Sequence, residues 1–294
     1  MMYKKFLIVL VLWILGHFPF NVNAQSAPTS ANQPLRFVFM TDLHVQPGVE
    51  QEMKKALDKA ATLHPNFIIT GGDLIMDALE ADKKTAENLF SLYQNLMSES
   101  RLPVYNTPGN HDVWGWGLKN VDTLDPDYGL GMFGKRWGNP YQLFSHQGIY
   151  FMLVPSMVYN QGSAYVGGFS EKTLQWAEEN LKNIPKEAPI VLVSHIPLVT
   201  AETQWEEGAL QPNHPMAVVG NSRDLLKLFE GRPLKLILQG HLHIWEKIEI
   251  AGVQIITGGA VSGKWWQGAY KGTPPGFVLV TITGNDIQAE YITY

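Results

Sequence analysis

Residues 35–44 read Leu-Arg-Phe-Val-Phe-Met-Thr-Asp-Leu-His, and this stretch decides the fold. Arg36 to Met40 is a short run rich in aromatic and β-branched residues, apolar at nearly every position. Such a run suits a strand buried on both faces, as in a parallel sheet. It stops abruptly at Asp42-Leu43-His44, where alternate residues point the same way if the backbone is extended. The same order recurs four times. Phe67 to Thr70 leads into Gly71-Gly72-Asp73, and Val104 to Asn106 into Gly109-Asn110-His111-Asp112. Ile190 to Val193 leads into Ser194-His195, and Leu234 to Leu238 into Gly240-His241-Leu242-His243. Ligand sites in α/β sheets lie at the carboxyl ends of the strands, so the five polar groups converge on one edge.

Helical patterns lie between these runs. In Leu79 to Ser100, the residues Ala86, Leu89, Phe90, Tyr93, Leu96 and Met97 share one face. Ser170 is placed to N-cap a helix carrying Leu174, Ala177, Leu181 and Ile184, which Pro185 stops. Asn221 or Ser222 is placed to cap another through Phe229, ended by Gly231. The last part reads differently: Ile248–Ile250, Val253–Thr257, Phe277–Thr283 and Ile287–Thr293 are strands joined by turns, with Gly284-Asn285 as a hairpin signal. Tyr141–Phe144 and Ile149–Val154 form a further hairpin about Gly148. With no linker or repeat, the chain reads as a single α/β domain over 35–294, with two sheets and outer helices.

Composition narrows the chemistry. The chain has 294 residues, nine histidines and no cysteine. Disulfides, thiolate metal sites and a cysteine nucleophile are therefore excluded. Hydrophobic residues make up 45% and charged ones 17%, which excludes a disordered chain. A net charge of −5 argues against binding to a nucleic-acid duplex. Metal chemistry here must rest on histidine, carboxylate and amide groups. These are hard or borderline ligands, suited to two divalent ions such as Mn, Fe, Zn, Ni or Co. Asp42, His44, Asp73, Asn110, His195, His241 and His243 supply the ligand set, with Asp73 as the bridging carboxylate.

The N-terminus carries an address. Met1 to Ala24 has Lys4 and Lys5, the apolar run Phe6 to Leu15, and Val22-Asn23-Ala24. This is the pattern of a secretory signal, cleaved near Ala24 and followed by a Ser/Ala/Pro-rich leader over 25–34. The apolar run is far below the roughly 20 residues of a membrane span. Cleavage removes two of the 22 basic residues and none of the 27 acidic ones, moving the net charge from −5 to −7. The expected location is periplasmic or secreted, with no stable membrane span in the mature chain.

The ordered set D-x-H, G-D, G-N-H-D, late H and G-H-x-H resembles the calcineurin-like metallophosphoesterase superfamily, over Phe37 to about Val280. The resemblance implies a four-layer α/β/β/α sandwich of two mixed β-sheets flanked by helices. It implies one metal at Asp42, His44, Asp73 and His243, and a second at Asp73, Asn110, His195 and His241. His111 corresponds to the histidine that stabilises or protonates the leaving oxygen, and Asp112 to a residue orienting His111. Met76 stands where the purple acid phosphatases of this superfamily carry a tyrosine ligand, so a tyrosinate-bound ferric ion is not implied. Asp77 reaches the pocket or caps a helix from Ala78. The expected activity is hydrolysis of a small phosphate mono- or diester by a hydroxide bridging two metal ions. The alternative is a non-catalytic metal- and ligand-binding protein that retains the fold. Trp114, Trp116, Trp205, Trp265 and Trp266 form an aromatic rim for the substrate or simply pack their loops. His214 and Lys264 are further candidates for phosphate contact, His214 with exposure as its plainer explanation.

Overall fold

Alternation within the buried strands sorts their side chains into layers. In β1 (Leu35–Met40), Phe37 and Phe39 face one way while Val38 and Met40 face the other. Both sides are apolar, so both must be covered. The computed structural model describes residues 33–294; the expected signal segment and the leader up to residue 32 lie outside them.

The first sheet has the order β13-β12-β1-β2-β3, with β2 Phe67–Thr70, β3 Val104–Asn106, β12 Gly276–Thr283 and β13 Asp286–Thr293. β1, β2 and β3 are parallel, joined through α1 (Glu50–Ala61) and α2 (Lys83–Ser98). β12 returns antiparallel to β1, and β13 pairs with β12 across the Gly284-Asn285 turn. The second sheet has the order β10-β11-β9-β8-β5-β4, with β4 Gln142–His146, β5 Ile149–Leu153, β8 Ile190–Val193, β9 Leu234–Gln239, β10 Trp245–Ile250 and β11 Val253–Gly258. A separate hairpin joins β6 (Met157–Asn160) to β7 (Ala164–Gly167). Four more helices complete the described chain: α3 Gly131–Trp137, α4 Glu171–Leu181, α5 Glu202–Glu207 and α6 Ser222–Leu228.

Three cores hold the layers together. Val38, Met40 and Ile68 pack under Met53, Ala56, Phe90 and Tyr93 of α1 and α2. Leu192, Ile237 and Ile255 pack under Ala177, Leu181 and Leu225 of α4 and α6. Between the sheets lie Phe37, Phe39, Phe67, Phe151, Leu236, Leu238 and Val280. Phe37 stacks on Phe67 at 5.2 Å, and Phe151 meets both edge-on at 5.4 Å. Truncating one such ring costs about 3–5 kcal/mol. The result is the expected α/β/β/α sandwich of two mixed sheets.

Local chemistry moves some boundaries. α2 starts at Lys83 rather than Leu79, because Asp82 accepts the amide of Thr85 and so caps there. Asn221 stands at the N-cap position of α6 as expected, but its side chain makes no capping bond; it binds both the N–H and the carbonyl of Phe169, tying the end of the β7 segment to α6. Among the described residues no helix is long and apolar enough to cross a membrane.

Candidate metal centre

The polar segments after β1, β2, β3, β8 and β9 meet at one end of the two sheets. After β1 and β2 the main chains continue to pair: Asp42 N–H donates to Gly72 O, and His44 N–H to Asp73 O, both at 3.0 Å. Gly240 N–H donates to His195 O at 2.8 Å, and His241 N–H donates to the Asp42 carboxylate at 2.9 Å. That last bond joins the first sheet to the second.

Side chains are turned inward by an unusual backbone. Asp42, His44, Asp73, His241 and His243 all have positive φ, between 45° and 71°. A left-handed conformation at a non-glycine residue costs on the order of 1–3 kcal/mol. Five such residues in one place mark a site whose geometry is held against local preference. The glycines leave room for it: a Cβ on Gly109 would lie 2.2 Å from Asp73 N, and one on Gly72 would lie 2.7 Å from His195 Nδ1.

The seven ligand candidates fall into two clusters. Asp42, His44 and His243 present ligand atoms within 4.8 Å of one another, and so do Asp73, His195 and His241. Asp73 Oδ2 is 3.2 Å from His195 Nε2 and 3.7 Å from His44 Nε2, so it faces both clusters. Asn110 Oδ1 is 3.1 Å from His195 Nε2, on the second cluster. Asp42 Oδ1 is 3.3 Å from His243 Nε2.

Histidine tautomers test whether cations fit. A carbonyl only accepts, so His195 Nδ1 donates to Gly71 O, His243 Nδ1 to Gly263 O and His241 Nε2 to Met216 O. In the neutral rings, the other nitrogens then carry lone pairs. Those nitrogens face neighbours closely: His243 Nε2 is 3.1 Å from His44 Nε2, and His241 Nδ1 is 3.2 Å from His195 Nε2. Converging lone pairs and two buried carboxylates need positive charge between them. The donor set, nitrogen with carboxylate and amide oxygen, fits divalent first-row ions.

Burial and neighbouring charges displace several of these groups from their ordinary values. Burial disfavours a charged His195, but Asp73 and Asp42 outweigh it and hold that imidazole up to about 9. Burial takes His44 down to about 3 and His241 down to about 4. Asp73 stays well below the usual carboxylate range, because His195 and His111 overcome the effect of burial.

Three further residues around the ligands, His111, Asp112 and Asp77, have separate tasks. His111 is the more open one: its side chain is 29% exposed, against 3% or less for Asp42, His44, Asp73, His195 and His243. Its Nε2 lies 4.0 Å from Asp73 Oδ2 and its Nδ1 lies 3.8 Å from Asp77 Oδ1. Its main-chain N–H donates to Asp73 Oδ1 at 2.8 Å. Asp112 differs from the sequence expectation. It is buried and accepts the amides of Gly109, Leu74 and Ile75, so it fixes the two turns rather than the His111 ring. Burial and Asp73 push its carboxyl up to about 8, against those amides. The carboxylate beside the His111 ring is Asp77, which also accepts Leu79 N–H at 2.7 Å.

The aromatic candidates divide. Trp265 is half-buried, its ring 4.6 Å from that of His243 and 6.0 Å from that of His44. Trp266 donates its indole N–H to His44 O at 2.9 Å. Trp114 is buried and donates to Ala81 O, whereas Trp205 is 87% exposed on α5. His214 turns its Nδ1 onto Met216 N–H, and Lys264 is exposed. Asp77, expected either to reach the pocket or to cap a helix, sits beside the His111 ring and closes a turn at Leu79; the Trp266 bond to His44 is the contact that sequence reasoning missed.

Residues 35–245 match the calcineurin-like phosphoesterase family. A 3′,5′-cyclic-nucleotide phosphodiesterase of Nostoc sp. is 24% identical over 222 residues, 71% of this chain and 72% of that protein. A dimetal phosphatase from Danio rerio superposes with a TM-score of 0.61 at 14% identity, covering 88% of this chain and 99% of its own. GAP50, the anchor in the inner membrane complex of Plasmodium, gives 0.56 at 17% identity, covering 88% and 84%. Those two likenesses concern the fold, and the family match takes in every ligand candidate from Asp42 to His243. The chain belongs to the calcineurin-like phosphoesterase family of metal-dependent hydrolases.

Proposed function

We propose that this chain is an exported hydrolase of small phosphate esters, with diesters preferred over monoesters. The observation that carries the reading is Asp73, whose Oδ2 faces both ligand clusters at 3.2 and 3.7 Å. Asp42, His44, Asp73 and His243 would hold one ion, and Asp73, Asn110, His195 and His241 the other. Two divalent cations there would neutralise the ester's charge and make the attacking water acidic near neutral pH.

The protein's own groups do the rest. His111, the partly exposed imidazole, is placed to give a proton to the departing oxygen. Asp77 beside its Nδ1 favours the ring orientation that aims Nε2 toward Asp73 and the clusters. The main-chain N–H of His111 and the turn held by Asp112 keep Asp73 aimed between the clusters. The preference for diesters is supported by the Nostoc relative, named for action on a cyclic phosphodiester. Export is supported by the charged, apolar and small-residue pattern of Met1 to Ala24.

The test is turnover of bis-p-nitrophenyl phosphate and p-nitrophenyl phosphate with added Mn²⁺, with EDTA as control. The reading expects both activities to vanish in EDTA and the diester to show the higher kcat/KM. A higher value for the monoester overturns the diester preference. No turnover of either by protein carrying two ions favours a binding protein that retains the fold. For export, the N-terminus of protein recovered outside the cytoplasm should begin at Gln25; retention inside cells with Met1 intact contradicts it.

A further inference from the structure

The loop from Gly259 to Gly268 lies beyond the family match and touches the two clusters unequally. Ser262 donates both its hydroxyl, at 2.8 Å, and its main-chain N–H, at 3.2 Å, to Asp42 O. Gly263 O accepts His243 Nδ1 at 2.6 Å. The Trp266 indole N–H donates to His44 O at 2.9 Å. Those three partners, Asp42, His44 and His243, are the members of one cluster. The other cluster is supported elsewhere: His195 by Gly71, His241 by Met216, and Asp73 by the His111 amide.

Backbone geometry agrees. Trp265 and Trp266 take φ of 45° and 68°, a conformation that bulky residues rarely adopt. The loop is held there from both sides. Trp266 N–H donates to Ser262 O at 2.7 Å and Lys264 N–H to Gly268 O at 2.8 Å. Val261 N–H donates to Thr41 O, and Tyr294 gives its hydroxyl to Val261 O.

We propose that this loop is a clamp for one ion site only, and that Trp266 is its positioning residue. Through His44 O it fixes the left-handed turn at His44, which aims Nε2 at Asp42 and His243. The inference rests on the two-ion reading above, and it adds that the two sites have separate supports, one of them supplied by a C-terminal loop beyond residues 35–245. A residue that orients a ligand typically alters metal affinity by about 10–100-fold.

The experiment measures Mn²⁺ binding to EDTA-stripped protein by equilibrium dialysis and titration calorimetry, so it reads ion binding and not turnover. Trp266→Phe keeps a ring in place and removes the indole donor. It should bind one ion with wild-type affinity and the other about 10–100-fold more weakly. Trp205→Phe, on exposed α5, should bind both as wild type. Site assignment uses two backgrounds. In His195→Ala, where the second site is broken, adding Trp266→Phe should weaken the remaining ion. In His243→Ala, where the first site is broken, it should leave the remaining ion unchanged. Equal weakening in both backgrounds, or in neither, overturns the proposal. If Trp266→Phe does not fold, Ser262→Ala in the same two backgrounds is read in its place, by the same criteria. Wild-type protein that binds fewer than two ions instead contradicts the two-ion reading, a failure distinguishable from that of the clamp.

Discussion

Replacing His111 by alanine separates proton donation from ion binding. The ring has two candidate roles in the structure: its Nε2 sits near His44 and Asp73, within reach of a third ligand grouping, and its edge is open to solvent. The assignment here is that it gives a proton and is not needed to hold an ion. Several contacts make that assignment quantitative. The bond that orients Asp73 comes from the His111 main chain, at 2.8 Å, and survives the substitution. The ring itself makes no hydrogen bond through its buried Nδ1 and is 3.8 Å from Asp77. Loss of stability should therefore stay near 1 kcal/mol, as for a partly exposed side chain that makes no side-chain hydrogen bond. Loss of general-acid assistance is worth about 10²–10⁴ in rate, or roughly 3–5 kcal/mol of barrier. That loss must depend on the leaving group. An alkoxide needs the proton and should show the full effect. A p-nitrophenolate leaves readily without one and should show at most about tenfold. The assay compares kcat of wild type and His111→Ala on an alkyl and a p-nitrophenyl phosphodiester, with metal content measured on the same samples. A variant that loses an ion, or that loses the same factor on both substrates, refutes the reasoning.

Three further outcomes follow from other contacts. Asp77→Asn should keep both ions and lower kcat on alkyl esters by about tenfold, less than His111→Ala, since Asp77 acts through that ring; an unchanged kcat on the alkyl ester refutes the positioning. Gly109→Ala puts a Cβ 2.2 Å from Asp73 N, so it should disrupt ion binding and destabilise the fold by about 1–3 kcal/mol or more, read by urea unfolding; a wild-type midpoint and ion content contradict the packing. Asp127 is buried, yet Lys135 and Lys83 outweigh burial and hold its carboxyl below the usual range. Its stabilisation is present above the unfolded value of about 4 and disappears as pH falls through the lower folded value. Asp127→Asn should therefore lower the thermal midpoint at pH 7 in EDTA, and the difference from wild type should shrink toward pH 3; a constant difference contradicts the ion-pair account.

Much of this centre is legible in the sequence because buried strands are apolar on both faces and end where they meet polar ligands. β1, β2, β8 and β9 were readable for that reason, whereas β3, a partly buried edge strand, was readable from the Gly109-Asn110-His111-Asp112 segment after it; the seven ligand candidates lie behind these five strands. α1 was passed over although Met53, Ala56, Leu57 and Ala60 follow the i, i+3, i+4, i+7 spacing of a helix face; two of the four are alanines, so the stripe carries little apolar bulk. α2 was placed too early because apolar spacing continues through Leu79, whereas the helix begins where the Asp82 side chain satisfies an amide. Asp112 was assigned to the wrong partner because adjacency along the chain is not contact. In the tight turn Asn110–Asp112, neighbouring side chains leave in different directions, and Asp112 goes to the amides of Gly109, Leu74 and Ile75. Trp266 and His44 are 222 residues apart, and no local pattern announces that bond.

The central claim is that this chain holds two ions that share Asp73. Anomalous diffraction from crystals grown with Mn²⁺ tests it most directly. The account predicts two peaks, one among Asp42, His44 and His243 and one among Asn110, His195 and His241, with Asp73 bound to both. A single peak, or a second peak held by His111 without His195 and His241, would contradict it.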